Sequence, residues 1–237
     1  SAPVGTVFQE PLLPEEPSPQ PRGKPLPFYR VWWQAVSALS VAGYASIFDD
    51  PDAGAGRAFE WMAYTSVVTG LLSPFMILIN PQFAELRALP EFQGLSERMG
   101  MTTLMVVVGL GMAVLTPILS VIGLAINAWI YNLLAILFGS KGTFGRTAYG
   151  QAAYLAPTSL VVTLFNLIPV VGLCLAAPIG IYSIVLNIRA LMAAHDLSLG
   201  RALGVILLPG VLSFVLCCVL GILFGPVLAN ALPTSGY

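Results

Sequence analysis

Hydrophobic and polar positions divide this chain sharply. Residues Ser1 to Pro27 contain eight prolines, at 3, 11, 14, 17, 19, 21, 25 and 27, with Glu10, Glu15 and Glu16 among them. A segment so short of backbone donors and apolar surface reads as an extended tail that orders only against a partner. Phe28 to Phe48 follows as one amphipathic helix: Trp32, Val36, Leu39 and Ile47 recur at helical spacing, with Arg30, Gln34 and Ser37 on another face. Phe28, Tyr29, Trp32 and Trp33 beside Arg30 are residue types that settle at headgroup level, so this helix is expected to lie in the membrane interface. An Asp/Gly/Pro loop over residues 49–56 then turns the chain into a first apolar span, Phe59 to Ile79, and a polar, charge-bearing segment from Asn80 to Gly100 follows.

The rest is almost uninterrupted apolar sequence. After Met99 the formally charged residues are Lys141, Arg146, Arg189, Asp196 and Arg201, all in or beside two short breaks. A water-soluble surface needs many more charges, whereas a bilayer-spanning helix needs about 20 mostly apolar residues. Thr102 to Phe138 is ambiguous, because as one helix it measures about 55 Å against a hydrocarbon core of about 30 Å. The basic residues separate the two readings. With one span there, and further spans near Ala148–Leu167, Val170–Ala193 and Ala202–Leu228, one side holds Arg22, Lys24, Arg30, Arg57, Lys141, Arg146, Arg189 and Arg201 and the other only Arg87 and Arg98. A sixth span would divide them four against six, so the positive-inside rule favours five spans, N-terminus cytoplasmic and C-terminus opposite. Each span carries a proline expected to kink it: Pro74, Pro117, Pro157, Pro178 and Pro209.

The expected architecture is all-α. A tail (1–27) precedes the interfacial helix and loop (28–58), five kinked transmembrane helices (59–232) and a short C-terminal tail (233–237). Composition agrees, with 57% hydrophobic and 9% charged residues, and the net charge of −1 argues against nucleic acid as a partner. The first residues lack the apolar core of a cleaved signal. Cys174, Cys217 and Cys218 show no C-x-x-C spacing and read as packing residues.

Gly139 to Thr147 (Gly-Ser-Lys-Gly-Thr-Phe-Gly-Arg-Thr), Ala153 to Pro157, Ile168 to Gly172 and Ala194 to Ala202 form four blocks in a characteristic order. On these the stretch from Met101 to Leu228 resembles the YIP (Ypt-interacting-protein) domain family, in its bacterial branch. The resemblance implies a non-enzymatic five-span membrane protein with a cytosolic N-terminus, here in the bacterial cytoplasmic membrane. Eukaryotic relatives bind small GTPases, but the Asp-Leu-Tyr-Gly-Pro motif is absent from this chain, so GTPase coupling is not expected.

Candidate chemistry is sparse. Lys141, Arg146, Arg189 and Arg201 meet on the inner face, where they either hold a lipid headgroup or acidic partner or act only as topogenic charge. His195 is the single histidine. Beside Asp196 it reads as a hydrogen-bonded structural residue, with haem or pigment ligation the weaker alternative. Asp49, Asp50 and Asp52 lack a metal-binding spacing and read as a turn. Asn127, Asn166 and Asn187 suit helix–helix hydrogen bonds better than a substrate path. No metal site, cofactor or catalytic constellation is expected; bound lipids are. The leading functional expectation is a scaffolding subunit of a membrane complex, docked through its tail and bundle, with other membrane subunits and lipids as partners. A transporter with moving helices is the alternative.

Overall fold

A computed structural model describes residues 24–169 and 171–231. The readings for the proline-rich residues 1–23 and the tail 233–237 lie outside the described residues. Every regular element among those described is a helix: α1 Phe28–Ser37, α2 Val41–Ala45, α3 Ala55–Ile79, α4 Ala84–Ala88, α5 Pro90–Met99, α6 Met101–Leu137, α7 Phe144–Phe165, α8 Val171–His195 and α9 Leu199–Ala231, with single 3₁₀ turns at Ser46–Asp49 and Pro81–Phe83.

Among the described residues four helices are long and apolar enough to cross a membrane: α3, α6, the Cys174–His195 part of α8 and the Leu199–Val219 part of α9. The ambiguous stretch is one continuous helix, α6, with Pro117 inside it. The expected fifth span, α7, is outside that set, since it carries Arg146, Thr147, Tyr149, Gln151, Tyr154, Thr158, Ser159 and Thr163 along its 22 residues. It is instead the most enclosed helix, with every residue from Thr147 to Tyr154 buried.

α7 runs parallel to α3 over its whole length. Tyr149 stacks near Trp61 at one end (ring centroids 5.1 Å), Thr163 Oγ1 lies 3.2 Å from Thr69 Oγ1, and Asn80 Nδ2 donates to the Asn166 carbonyl at 2.7 Å at the other end. α6 returns antiparallel along α3, so close at Gly70 that an added Cβ would stand 2.4 Å from the Met112 carbonyl oxygen. α8 is antiparallel to α7, with Ala190 against Gly150 and His195 against Thr147.

The five prolines expected to bend the spans all sit inside helices. At Pro74, the Gly70 carbonyl released by the missing amide accepts the Ser73 hydroxyl at 2.7 Å, so the defect is satisfied within the turn.

One expectation is corrected. Phe28–Phe48 is not one helix: Ala38 turns extended (ψ 108°), and Ser40 starts α2 by accepting the Gly43 amide through its hydroxyl. The polar segment Asn80–Gly100 is mostly helical, with α4 and α5 joined at Leu89 and Leu86, Leu89, Leu95 and Met99 exposed.

Candidate functional site

The chemistry of the described residues gathers at the end of the bundle where α1, α2 and the 49–54 loop lie across α3, α7 and α8 as a cap. Val31 and Ala35 of α1 are fully buried, together with Tyr44 and Ile47. The apolar face anticipated at Trp32, Val36 and Leu39 is therefore shifted. Leu39 lies past the helix end and is 82% exposed, because the break at Ala38 resets the periodicity. Of the expected interfacial anchors, Phe28, Tyr29 and Trp33 do face outward, whereas Trp32 turns in to pack edge-on against Trp61 at 6.2 Å.

Polar ties from three helices hold the cap down. Asp50 is the hub: its fully buried carboxylate accepts from Arg57 Nη1, from the Tyr149 hydroxyl at 2.8 Å, and from the Asp52 and Leu26 amides at 3.1 and 3.4 Å. Arg57 also donates to the Leu26 carbonyl and lies over the Trp61 ring. A buried ion pair is tolerated only when the remaining lone pairs and protons find partners; here four donors reach the carboxylate, and the Arg57 side chain keeps some exposure to solvent. The Tyr44 hydroxyl donates to the Gly150 carbonyl, and burial pushes this phenol well above its ordinary range, keeping it a donor. From α8, the Tyr182 hydroxyl donates to the Val36 carbonyl and Arg189 to that of Ala38, which closes α1 at its negative end.

The four basic candidates have different surroundings. Arg189 caps α1, and Arg146 lies over the Phe48 ring at 4.8 Å, while Lys141 and Arg201 are exposed.

Beside the cap, two of the four sequence blocks meet. α6 ends in a glycine stop: Gly139 (φ +84°) donates to Ile136 and Ser140 to Ala135, which satisfies the last carbonyls. α8 ends alike, with Asp196 at φ +52° and Leu197 donating to Met192. These two stops bring Ser140 Oγ to 2.6 Å from His195 Nδ1, and Thr147 Oγ1 lies 2.6 Å from Nε2. Thr147 Oγ1 is also within hydrogen-bond reach of the Thr143 carbonyl, and Ser140 Oγ accepts the Gly142 amide, so both ring nitrogens have hydroxyl partners in a connected chain. Gly142 is required here, since a Cβ would fall 2.2 Å from Nδ1.

The Asn127 side chain accepts from Gln151 Nε2 at 3.1 Å and so bonds α6 to α7; at Asn166 it is the backbone carbonyl, not the side-chain amide, that accepts from Asn80, and Asn187 Oδ1 has no partner. Among the described residues no group of three or more His, Cys, Asp or Glu side chains is placed to hold a metal. Sequence reasoning missed the Asp50 hub and the Tyr44, Tyr149 and Tyr182 ties. The available signal was tyrosines within or beside apolar helices, whose polar tips need partners.

A family model described as Yip1 domain matches residues 30–221, from within α1 to within α9. No curated protein and no solved structure matches.

Proposed function

The chain belongs to the Yip1 domain family, and from that premise we propose that it is a non-catalytic, five-span integral membrane protein acting as a scaffolding subunit, with the cap as its docking face. Four apolar helices support membrane insertion. The reading adds α7 as the fifth span. Tyr149, Gln151 and Thr163 on it bond across to neighbouring elements, and its run beside α3 from Tyr149 to Asn166 supports a crossing of the same depth. The N-terminal side is then the basic one, and the α4–α5 side carries Arg87 and Arg98.

The observation that carries the scaffolding role is the cap itself. Ties from α3, α7 and α8 immobilise it, yet its outer face presents Phe28, Tyr29, Trp33 (73% exposed) and Leu39 as a fixed apolar surface beside Lys24 and Arg30. An exposed apolar patch of this kind on a rigid support marks a contact with protein or membrane.

Affinity purification of the full chain from native membranes, followed by identification of accompanying membrane proteins, tests this. Deleting residues 1–23, which spares the Leu26 tie, and replacing Tyr29 and Trp33 with serine are each expected to reduce those companions. Undiminished recovery with both variants, or a wild-type chain that purifies alone, contradicts the scaffold.

A further inference from the structure

A groove opens between α3 and α6 at the end of the bundle away from the cap. The two helices touch at Gly70–Met112, and Pro74 fits against Gly109, where a Cβ would come within 3.1 Å of the proline ring. Beyond that crossing they splay. The cleft between them has a volume of about 450 Å³ and is lined by Leu71, Phe75, Leu78, Met105, Val106 and Leu110 among others. All these residues belong to spanning helices, so the cleft faces hydrocarbon rather than water. From Met101 to Leu110 it runs about 14 Å along the α6 axis, close to half of a hydrocarbon core about 30 Å thick. If a methylene takes roughly the ~30 Å³ of a water molecule, the volume suits about fifteen carbons, one acyl chain.

The mouth of the groove is polar. Leu78 lines the cleft, and its carbonyl, one of those left over at the end of α3, accepts from Arg87 Nη1. One bond leaves most of the five guanidinium donors for another acceptor, and the fork geometry matches a phosphate. Thr102, in the first turn of α6, is the one polar residue among those named as lining the cleft. α4 and α5, which link α3 to α6, carry the exposed Leu86 and Leu95.

We propose that this groove is a phospholipid site in the leaflet opposite the cap, with one acyl chain between α3 and α6 and the phosphate on Arg87. The charge of Arg87 complements the phosphodiester, and the apolar walls complement the chain. The inference rests on α3 and α6 crossing the membrane.

The test measures lipid retained by the full-length protein in detergent, by native mass spectrometry, with dioleoyl phosphatidylglycerol and dioleoylglycerol offered in competition. The second probe has the same chains without the phosphate. The wild type is expected to keep one phospholipid. Val106→Trp, at a position 56% exposed toward the groove, fills the cleft and abolishes retention, as does Leu110→Trp if the first variant folds poorly. Arg87→Gln lowers the preference for the phosphate-bearing lipid about fivefold, the equivalent of about 1 kcal/mol per basic residue near the surface. Arg98→Gln, exposed on the same side, leaves it unchanged. Equal retention in both tryptophan variants, or an unaltered preference in Arg87→Gln, overturns the site while the protein still resists carbonate extraction. A chain that carbonate releases from the membrane overturns the spans themselves.

Discussion

Removing the Asp50 carboxylate is expected to free the cap while the bundle stays folded. In Asp50→Ala, Arg57 and the Tyr149 hydroxyl both lose an acceptor that is fully buried, and the Leu26 and Asp52 amides lose theirs. Breaking a buried ion pair by deleting one partner costs about 3–5 kcal/mol. Arg57 keeps 16% side-chain exposure and can turn toward water, which places the cost at the lower end, about 3 kcal/mol. Because the lost bonds tie the cap to α3 and α7 rather than one bundle helix to another, the penalty falls on cap opening. Amide hydrogen exchange of the detergent-solubilised full chain reads that opening directly. Amides of residues 28–48 are expected to exchange roughly 100-fold faster, since each 1.4 kcal/mol is a factor of ten. Amides of residues 147–156, in the buried centre of α7, are expected to change by less than about fivefold. Asp50→Asn, which keeps the shape and an acceptor, should fall between wild type and alanine. Unchanged exchange over 28–48 would refute the hub, and an equal rise over 147–156 would refute the cap as a separately opening unit.

Other outcomes follow from the same contacts. Gly142→Ala pushes a Cβ into His195 Nδ1 and the Ala194 carbonyl and is expected to cost about 1–3 kcal/mol, whereas Gly56→Ala, with nothing within 4 Å, should be neutral or mildly stabilising; comparing their thermal unfolding midpoints checks this. Tyr182→Phe removes one hydrogen bond to Val36, worth about 1 kcal/mol, so exchange over residues 28–48 should rise about fivefold while residues 147–156 stay protected.

What could be read from sequence followed the range of the interactions involved. α3, α6, α8 and α9 were legible because their length and hydropathy are local properties, while the single-helix reading of α6 was favoured only by how all ten basic residues divide between the two sides. The blocks at Gly139–Thr147 and Ala194–Ala202 were legible as pattern, but not as two halves of one hydrogen-bond chain through His195. That chain joins residues 55 and 48 positions apart. The break after Ser37 was local and still missed, since Trp32, Val36 and Leu39 imitate a continuing stripe and outweighed the cap signal of Ser40. Asp50 looked like a turn residue, which it also is through its bond to the Asp52 amide. Its partner Tyr149 lies 99 residues away, and no sequence spacing reports that.

In the proposed topology α7 crosses the membrane beside α3, which makes five spans with the cap on the basic side. Single cysteines at Ser37, Glu91, Lys141, Pro169 and Ser198, in a chain whose native cysteines are serine, can be challenged with an impermeant maleimide in sealed, oriented membranes. Glu91→Cys and Pro169→Cys are expected to react from the side opposite the cap, and Ser37→Cys, Lys141→Cys and Ser198→Cys only from the cap side. Labelling of Pro169→Cys from the same side as Lys141→Cys would mean that α7 does not cross, and would overturn the five-span topology.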